Sequence, residues 1–274
     1  MTKKNTAITV VKLGGTEGVD FSAISQDVAK MLAEGQKLVL VHGGSAEANA
    51  LGEAVGKPPR FVTSPSGYTS RYTNRETLEV FAMAVNGKVN TFLVEQLQML
   101  GVNALGLSGV DGGLLRAKRK SAIRIVENGK KKILRDDYTG KIESVNVSLL
   151  QTLLDAGYTP VIAPLALSEK GEALNVDTDR AAAEVAAALN ADTLLLLTAV
   201  PGLMKNFPDE STLIKEIPLA KLDKAIEYAQ GRMKKKILGA SEALFKGVQQ
   251  VVIADGRVEN PISNALDGNG TVIK

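Results

Sequence analysis

The chain has 274 residues, a formal net charge of +3 and 45% hydrophobic residues, which is typical of a soluble protein built as one large domain or two closely packed lobes. It contains no cysteine, no tryptophan and a single histidine, His42. This composition excludes disulfides, thiolate metal sites and cysteine nucleophiles, and it removes most zinc sites and the usual pairing of serine with histidine. Lysine, arginine, carboxylates and backbone amides remain as the groups that can carry chemistry.

The sequence carries no recognisable targeting segment. No apolar run approaches the ~20 residues that a membrane span requires, and the first residues lack the apolar stretch and cleavage site of a secretory signal. We therefore expect a cytoplasmic protein without membrane association.

Apolar strand-like runs alternate with helical patterns along the chain. The predicted strands cover residues 7–13, 37–41, 103–109, 159–165, 192–200 and 250–256, and the clearest predicted helices cover 21–35, 76–101 and 179–191. Continuous apolar strands between helices indicate an α/β fold with a mostly parallel sheet and helices on both faces.

Two of the predicted strands end in glycine pairs that precede helical patterns. The first is VVKLGG, with Gly14 and Gly15, and the second is LVLVHGG, with Gly43 and Gly44. Such glycines let the backbone approach a ligand closely, and a helix start offers free N–H groups to an anion. Lys12 favours a negatively charged ligand, although two ordinary strand–helix turns are the alternative. The two standard glycine fingerprints for nucleotides are absent.

The stretch SGYTSRYTNRETLEVF places Arg71 in a loop before Thr73-Asn74, which is a good N-cap for the following helix. The guanidinium of Arg71 can form a bidentate pair of hydrogen bonds with a carboxylate. It can also simply pair with Glu76 or Glu79.

The positive charge is concentrated in one segment. Residues 116–135 hold nine lysines and arginines and one acidic residue, Glu127, so the segment has a balance of +8 and the rest of the chain −5. Asn128-Gly129 lies between two strand-like runs and is the favoured sequence for a two-residue type I′ turn. We predict an exposed β-hairpin with a positive surface and no fully buried face; a solvated charge run without a partner is the alternative.

Three polar residues, Asn175, Asp177 and Asp179, alternate before an alanine-rich helix in NVDTDRAAAEVAAAL. Asp177 or Thr178 can cap the helix, and capping accounts for one acid only. The two aspartates could bind a metal ion, or one of them could orient lysine side chains.

A lysine cluster that includes Lys236 opens another helix in GRMKKKILGASEAL. Cations at a helix start oppose the macrodipole at a cost of about 0.3–1 kcal/mol each. We therefore expect an anion nearby, with a fully exposed basic turn as the alternative.

Together these features suit phosphoryl transfer between two anions, which depends on positioning and on charge neutralisation. A carboxylate acceptor with a pKa of ~4 is already ionised at neutral pH, so the reaction needs no general base. Lys12 would then lie where positive charge meets the migrating phosphoryl group, beside the glycine amides.

Six motifs occur in the order expected of the amino acid kinase family: VVKLGG, LVLVHGG, GLSGVDGGL, NVDTDRAAAEVA, LLLLTAVPGL and GRMKKKILGA. The chain resembles the acetylglutamate kinase branch of that family over essentially its whole length. The resemblance implies a three-layer αβα sandwich around a mostly parallel, roughly eight-stranded open sheet. It also implies an N-terminal lobe, residues 1–165, that binds the acyl amino acid or its carrier and forms a homodimer, and a C-terminal lobe, residues 166–274, that binds ATP with Mg²⁺.

The resemblance also implies a role for individual residues. Lys12 and Lys236 match the two catalytic lysines, and Asp179 matches the aspartate that orients both. The positions that match substrate-binding residues are Gly43, Gly44, Arg71 and Asn175. The positions that match phosphate- and nucleotide-binding residues are Gly14, Gly15, Thr198, Val200 and Gly202. No residue is assigned to a metal, because Mg²⁺ would be held through the phosphates.

Departures from the acetylglutamate kinase pattern favour a particular acceptor. Ser45-Ala46-Glu47 stands where a Gly-Pro turn is usual, and the loop SPSGYTSRYTN is longer than expected. With the basic hairpin, these features look like those of kinases that phosphorylate the side-chain carboxylate of 2-aminoadipate held on a small, acidic amino-group carrier protein of the LysW type. Charge would steer this carrier to Arg116, Lys118, Arg119, Lys120, Lys130, Lys131 and Lys132. Ala199 stands where aspartate or asparagine is common, which leaves its nucleotide contact open.

Other functions stay open at this point. A kinase for free N-acetylglutamate in arginine biosynthesis, or for carrier-bound glutamate, shares the same motifs. A nucleic-acid-binding protein would use the basic segment, but only 4% of the residues are aromatic and no binding motif is present, so we expect no nucleic-acid partner. A non-catalytic amino-acid sensor would not need Lys12, Asp179 and Lys236 together.

Overall fold

A computed structural model describes residues 7–14 and 21–274. Its strands are β1 (Ile8–Leu13), β2 (Lys37–His42), β3 (Phe61–Thr63), β4 (Thr69–Arg71), β5 (Ala104–Ser108), β6 (Leu115–Arg119), β7 (Ala122–Glu127), β8 (Lys130–Arg135), β9 (Gly140–Val145), β10 (Thr159–Ala163), β11 (Leu165–Leu167), β12 (Ala173–Asn175), β13 (Thr193–Thr198), β14 (Glu216–Ile217), β15 (Gln250–Asp255) and β16 (Thr271–Ile273). Its α-helices are α1 (Phe21–Ala33), α2 (Ser45–Ala54), α3 (Arg75–Ala82), α4 (Thr91–Met99), α5 (Val147–Asp155), α6 (Thr178–Ala188), α7 (Leu222–Ile226), α8 (Gly231–Phe245) and α9 (Pro261–Leu266). A π-helical segment, Met83–Asn90, joins α3 to α4.

Eight strands form the central sheet in the order β14-β16-β15-β13-β1-β2-β10-β5. Every neighbouring pair from β15 to β5 is parallel, whereas β16 runs antiparallel to β15. The six strands predicted from the sequence are these six parallel strands, so the predicted mostly parallel sheet is confirmed. The edge strands β14 and β16 have two and three residues, too few for a recognisable pattern.

Helices cover both faces of the central sheet. Val10 and Leu194 belong to one buried cluster together with residues of α5, α6 and α8. Their neighbours Val11 and Leu195 belong to a second cluster with residues of α1, α4 and α9. Because successive strand residues point to opposite faces, this division confirms the three-layer sandwich. Among the helices of the described residues, none has both the length and the apolar character needed to cross a bilayer.

The basic segment is divided between two smaller sheets, β12-β11-β6-β9 and β4-β3-β7-β8. β7 and β8 form the predicted hairpin, and Asn128 and Gly129 have φ values of +52° and +71°, as a type I′ turn requires. The interpretation that the whole charge lies on one hairpin is wrong, because Arg116–Arg119 lie in β6, which pairs with β9.

The hairpin is largely exposed, as we predicted. Lys130 and Lys131 on β8 are exposed, but Ile125 on β7 is 1% exposed. Ile123 and Glu127, on the same side of β7 as Ile125, are only half-buried, so the prediction that neither face is fully buried is confirmed.

The predicted boundary between the two lobes, at 165/166, falls at the start of β11. The central sheet itself joins both parts of the chain, since β13 pairs with β1. The assignment of separate roles to residues 1–165 and 166–274 stays a prediction.

Candidate active site

The carboxyl ends of the parallel strands meet at one edge of the sheet. β1 has β2 on one side and β13 on the other, and ligands of open α/β sheets bind outside the strand ends at such a point of divergence. A cavity of about 1120 Å³ lies at this edge. Its wall includes Lys12 of β1, the turn after β2 and the end of β13.

Lys12 and Lys236 converge on Asp179 in this cavity. Lys12 Nζ lies 3.1 Å from Asp179 Oδ1, and Lys236 Nζ lies 2.9 Å from Oδ1 and 3.0 Å from Oδ2. The two ammonium groups are therefore no more than about 6 Å apart. Lys12 and Lys236 are only 8% and 7% exposed, so water screens their charges poorly.

The environment shifts the pKa of two members of this group. Burial alone would raise the pKa of Asp179, but the charges of Lys12 and Lys236 outweigh it and hold that pKa well below its usual value. Burial, reinforced by the charge of Lys12, lowers the pKa of Lys236 to about 8. At neutral pH the group holds two positive charges and one negative charge, and this net positive charge favours the binding of an anion.

The two aspartates at the start of α6, Asp177 and Asp179, make different contacts. Asp177 caps α6, since its Oδ1 accepts a hydrogen bond from Arg180 N at 3.0 Å, as predicted. Asp179, in the first turn, is left to face the lysines. The anion expected near Lys236 is therefore this carboxylate. No group of three or more acidic or histidine side chains in the described residues could hold a metal ion.

The glycines of the first two turns lie against the same cavity. Gly14, Gly43 and Gly44 line it, whereas Gly15 lies outside the described residues. A Cβ at Gly44 would lie 2.9 Å from Val85 Cγ1. Glycine is therefore required where α2 begins beside the π-helical segment.

Arg71 lies in the part of the cavity formed by the N-terminal half of the chain. Its Nη2 donates to Asn49 Oδ1 at 2.6 Å and to Ser45 O at 3.3 Å, and its guanidinium lies 5.3 Å from the ring centre of Phe61. The alternative of a pair with Glu76 or Glu79 does not occur, because those carboxylates contact Lys57 and Arg75.

Asn175 lines the same part of the cavity within a hydrogen-bond network. Its Nδ2 donates to Thr73 Oγ1 at 3.1 Å, and Thr73 N donates to Asp137 Oδ2 at 3.3 Å. Asp137 also accepts from Thr139 N at 2.8 Å. Asn175 and Arg71 are thus brought to one wall from distant parts of the chain.

The predicted nucleotide-binding residues at the end of β13 and just after it also line the cavity. Thr198 ends β13, and Val200 and Gly202 follow it. A Cβ at Gly202 would lie 2.8 Å from Leu213 Cδ1, so the chain passes close to its neighbours here. Ala199 also lines the cavity.

The predicted carrier-binding residues do not form one group. Arg119 is engaged, since it pairs with Asp136 and Glu172 and lies 3.5 Å from the ring centre of Tyr138. Lys132 pairs with Glu127 at 2.6 Å. The cations without an ion pair to any described residue are Arg116, Lys118, Lys120, Lys130 and Lys131; Lys120 lines the cavity itself.

A family model describing the amino acid kinase family matches residues 7–255. The chain belongs to the amino acid kinase family. Two similar relatives are both named "[LysW]-aminoadipate kinase". The Deinococcus radiodurans protein is 57% identical over 96% of this chain and 90% of its own length. The Thermus thermophilus protein is 53% identical over 97% of this chain and 99% of its own length.

A third relative carries a double name. The "[LysW]-aminoadipate/[LysW]-glutamate kinase" of Metallosphaera sedula is 39% identical over 96% of this chain and 99% of its own length.

Solved structures confirm the amino acid kinase fold. The N-acetylglutamate synthase of Neisseria gonorrhoeae, complexed with coenzyme A and N-acetyl-glutamate, matches with a TM-score of 0.79 and 27% identity over 97% of this chain and 59% of that one. The carbamate kinase of Giardia matches with a TM-score of 0.69 and 17% identity over 98% of this chain and 99% of that one. The latter likeness concerns the fold alone.

The sequence did not predict the apolar part of the cavity wall. On the side of Arg71 the wall includes Phe61, Phe81, Ile123 and Ile125, and beyond β13 it includes Met204, Phe207, Tyr228 and Met233. The spacing of Ile123 and Ile125, two residues apart on one side of β7, was the available signal. The other members come from separate elements that only the fold brings together.

Proposed function

We propose that this amino acid kinase transfers the γ-phosphoryl group of ATP to the side-chain carboxylate of 2-aminoadipate held on an acidic carrier protein of the LysW type, in lysine biosynthesis. The observation that carries the proposal is the convergence of Lys12 and Lys236 on Asp179 within one cavity. The names of the relatives at 57% and 53% identity supply the acceptor.

The proposed reaction needs charge neutralisation and no proton transfer. A carboxylate oxygen of the acceptor forms a bond to the γ-phosphorus while the bond to the leaving oxygen of ADP breaks, giving an acyl phosphate. Both reactants are anions, and their repulsion is the main obstacle. Lys12 and Lys236 would offset it from two sides, while Asp179 keeps both ammonium groups aimed at the same place.

In this proposal the acceptor occupies the wall around Arg71 and Asn175. Arg71 is held by Asn49 and by Ser45 O, so its guanidinium is preorganised for the α-carboxylate of the amino acid. Phe61, Ile123 and Ile125 offer an apolar surface for the methylenes. The amides of Gly14 and Gly44 would bind the reacting carboxylate and phosphoryl oxygens, whereas the Gly43 amide already donates to Leu13 O at 3.2 Å.

ATP would lie along Thr198, Val200 and Gly202, with its base among the apolar residues beyond β13. Mg²⁺ held through phosphate oxygens and waters needs at most one or two protein carboxylates. The described residues fit that arrangement, since they hold no cluster of three acids and Asp179 is engaged by lysines. Bound with ATP, Mg²⁺ neutralises charge on the phosphates.

The carrier would dock on the basic surface beside the cavity. Lys130 and Lys131 on the hairpin, Arg116 and Lys118 on β6, and Lys120 between the two strands carry no ion pair with described residues. Their charge would speed encounter with an acidic partner in a salt-dependent way.

We further propose a homodimer that acts in the cytoplasm.

One assay tests the acceptor. Purified carrier–aminoadipate, carrier–glutamate and free N-acetylglutamate are compared for ATP-dependent formation of acyl phosphate, trapped by hydroxylamine. We expect turnover with carrier–aminoadipate to be the fastest. Comparable rates on carrier–glutamate would favour the dual activity in the name of the Metallosphaera sedula relative, and faster turnover of free N-acetylglutamate would overturn the proposal in favour of arginine biosynthesis.

A further inference from the structure

His42 has no part in the proposed reaction, yet it is fully buried against the site. It ends β2, is 0% exposed and is the single histidine of the chain. Its Nδ1 lies 2.7 Å from Gly43 O, and its Nε2 lies 2.9 Å from Asn90 Nδ2. Gly43 and Gly44 line the cavity, so His42 connects Asn90 to the wall of the active site.

The contacts at both ends fix the protonation of the ring. Asn90 Nδ2 also lies 2.9 Å from Val161 O, and a carbonyl only accepts, so the atom that faces both partners is the amide NH₂. His42 Nε2 must then be an acceptor, and Nδ1 carries the proton that it donates to Gly43 O. Burial lowers the pKa of His42 to about 4, so the ring is neutral at neutral pH.

The segment that holds Asn90 also packs on the glycine turn. An added Cβ at Gly44 would meet Val85 and Val89 at 2.9 and 3.3 Å, and both valines belong to Met83–Asn90. Because a π-helix bonds residues five apart, the side chains of Val85 and Asn90 project in more similar directions than they would in an α-helix. Such segments occur frequently at functional sites.

We propose that His42 and Asn90 are positioning residues for phosphoryl transfer: Asn90 donates to Nε2 and so holds the Nδ1–H form of the His42 ring in place, and this ring holds the Gly43 carbonyl away from the reacting anions. The expected effect on turnover rests on the proposed kinase function, whereas the protonation of the His42 ring rests on hydrogen-bond geometry alone.

The electrostatic reason lies in the peptide unit that joins Gly43 to Gly44. In a trans peptide the C=O and N–H groups point in opposite directions, so a carbonyl held by the buried ring directs the Gly44 N–H away from that ring. Gly44 N has no hydrogen-bond partner among the described residues. A carbonyl turned to the cavity would instead repel the carboxylate and the phosphates.

The tautomer can be measured directly, because the chain has one histidine. Protein labelled with ¹⁵N-histidine gives one imidazole spectrum. We expect a neutral Nδ1–H ring that does not titrate between pH 5.5 and 8. In Asn90→Leu the Nε2 atom loses its donor, so we expect the Nε2 resonance to shift while the Gly43 carbonyl still retains the proton on Nδ1. Asn86→Leu is the matched control, since it lies in the same π-helical segment but its side chain does not hydrogen-bond to His42. A wild-type ring protonated at Nε2, or titrating near its ordinary pKa of ~6.5, would overturn the proposal.

Kinetics with carrier–aminoadipate tests the consequence for the site. Asparagine carries its amide nitrogen the same number of bonds from Cα as Nδ1 of histidine, so His42→Asn can still donate to Gly43 O, whereas His42→Leu cannot. We expect His42→Leu and Asn90→Leu to lower kcat at least about tenfold with a smaller change in the KM for ATP. His42→Asn should recover most of that loss, although leucine suits a buried position better and should be the more thermally stable.

The order of kcat between His42→Asn and His42→Leu distinguishes a positioning role of His42 from a packing role. If His42 only fills space, His42→Leu will match or exceed His42→Asn in kcat as well as in stability, and the proposal fails. If the wild-type protein phosphorylates none of the three acceptors, the proposed function fails instead, while the ¹⁵N spectra still decide between the two tautomers.

Discussion

The ammonium groups of two lysines and one carboxylate oxygen, Oδ1 of Asp179, form the electrostatic centre of the site. Lys12 and Lys236 approach that oxygen to 3.1 and 2.9 Å, and each charge would be costly to bury alone. The negative charge of Asp179 stabilises the two buried ammonium groups but leaves the group with a net positive charge. The excess positive charge is available to anions that enter the cavity.

Removal of either ammonium group should therefore affect turnover far more than folding. We expect Lys12→Met and Lys236→Met each to lower kcat by about 100-fold or more, as for the loss of one donor to a developing charge. Circular dichroism should show an unchanged fold, because the remaining lysine still pairs with Asp179. Lys170→Met, at an exposed lysine, is the control and should match wild type. Near-wild-type kcat in both site variants would contradict the neutralisation scheme.

The pKa of Lys236 sets an expected pH dependence. A lysine is charged below its pKa, and burial together with Lys12 lowers this one to about 8. We expect kcat/KM for ATP, which reports on the free enzyme, to be nearly level below about pH 7 and to fall to half near pH 8.

Arginine supplies the control for this profile. In Lys236→Arg the guanidinium stays charged, so the decline above pH 8 should disappear whatever rate remains. A wild-type profile that stays level to pH 10 would show that Lys236 does not lose its charge in this range.

Arg71 offers two-pronged geometry that a lysine cannot reproduce. We expect Arg71→Lys to raise the KM for carrier–aminoadipate about tenfold or more, the scale of one lost charge-assisted hydrogen bond, with a smaller change in the KM for ATP. Arg75→Lys, four residues from its partner Glu79, keeps an equivalent exposed pair and should have no effect. Equal KM values for the acceptor in both variants would remove Arg71 from the acceptor site.

The hairpin of β7 and β8 contributes to two surfaces, the cavity wall and the outer face of the molecule. Ile125 is buried toward the cavity, while Lys130 and Lys131 are exposed. Lys132 is tied to Glu127 and Arg119 to Asp136 and Glu172. The free cations, more than the total charge of the segment, should decide how the carrier docks.

The double variant Lys130→Glu/Lys131→Glu tests this docking and leaves the Lys132–Glu127 pair intact. We expect a higher KM for carrier–aminoadipate and a weaker dependence of kcat/KM on salt, because attraction at the surface is lost. Lys170→Glu/Lys221→Glu changes the net charge equally at exposed lysines elsewhere. Equal carrier kinetics in the two double variants would mean that the hairpin is only a solvated surface.

Local signals account for the elements that the sequence predicted well. Asn74 accepts from Thr77 N at 2.9 Å and Asp177 caps α6, because a cap depends on three or four adjacent residues. Asn128-Gly129 determines its turn in the same way. By contrast, the pairings of Arg119 and the link from His42 to Asn90 join residues far apart in sequence, and no local pattern contains them. The convergence of the two lysines was expected from the family resemblance, not from spacing.

The long helical stretch of α3, the π-helical segment and α4 exposes apolar side chains to solvent. Met83, Phe92 and Met99 are 55%, 53% and 81% exposed. Phe92 and Met99 are seven residues apart and so share a side of α4. This side is where we expect the second subunit of the proposed homodimer.

Sedimentation can test the dimer. We expect a mass near twice 28.9 kDa for the wild-type protein and a monomer for Phe92→Glu/Met99→Glu, since charges would be buried without partners. Phe245→Glu, at a residue that is 76% exposed on α8, should remain dimeric. A monomeric wild-type protein would refute the proposed assembly.

Arg71, both lysines and Gly202 line one cavity of about 1120 Å³. A single compound that joins adenosine to an aminoadipyl group through a chain of phosphates could therefore occupy both ends at once. It would lose translational and rotational freedom only one time, and each end would raise the effective concentration of the other. Inhibitors of this tethered kind suit the architecture better than compounds that fill either end alone.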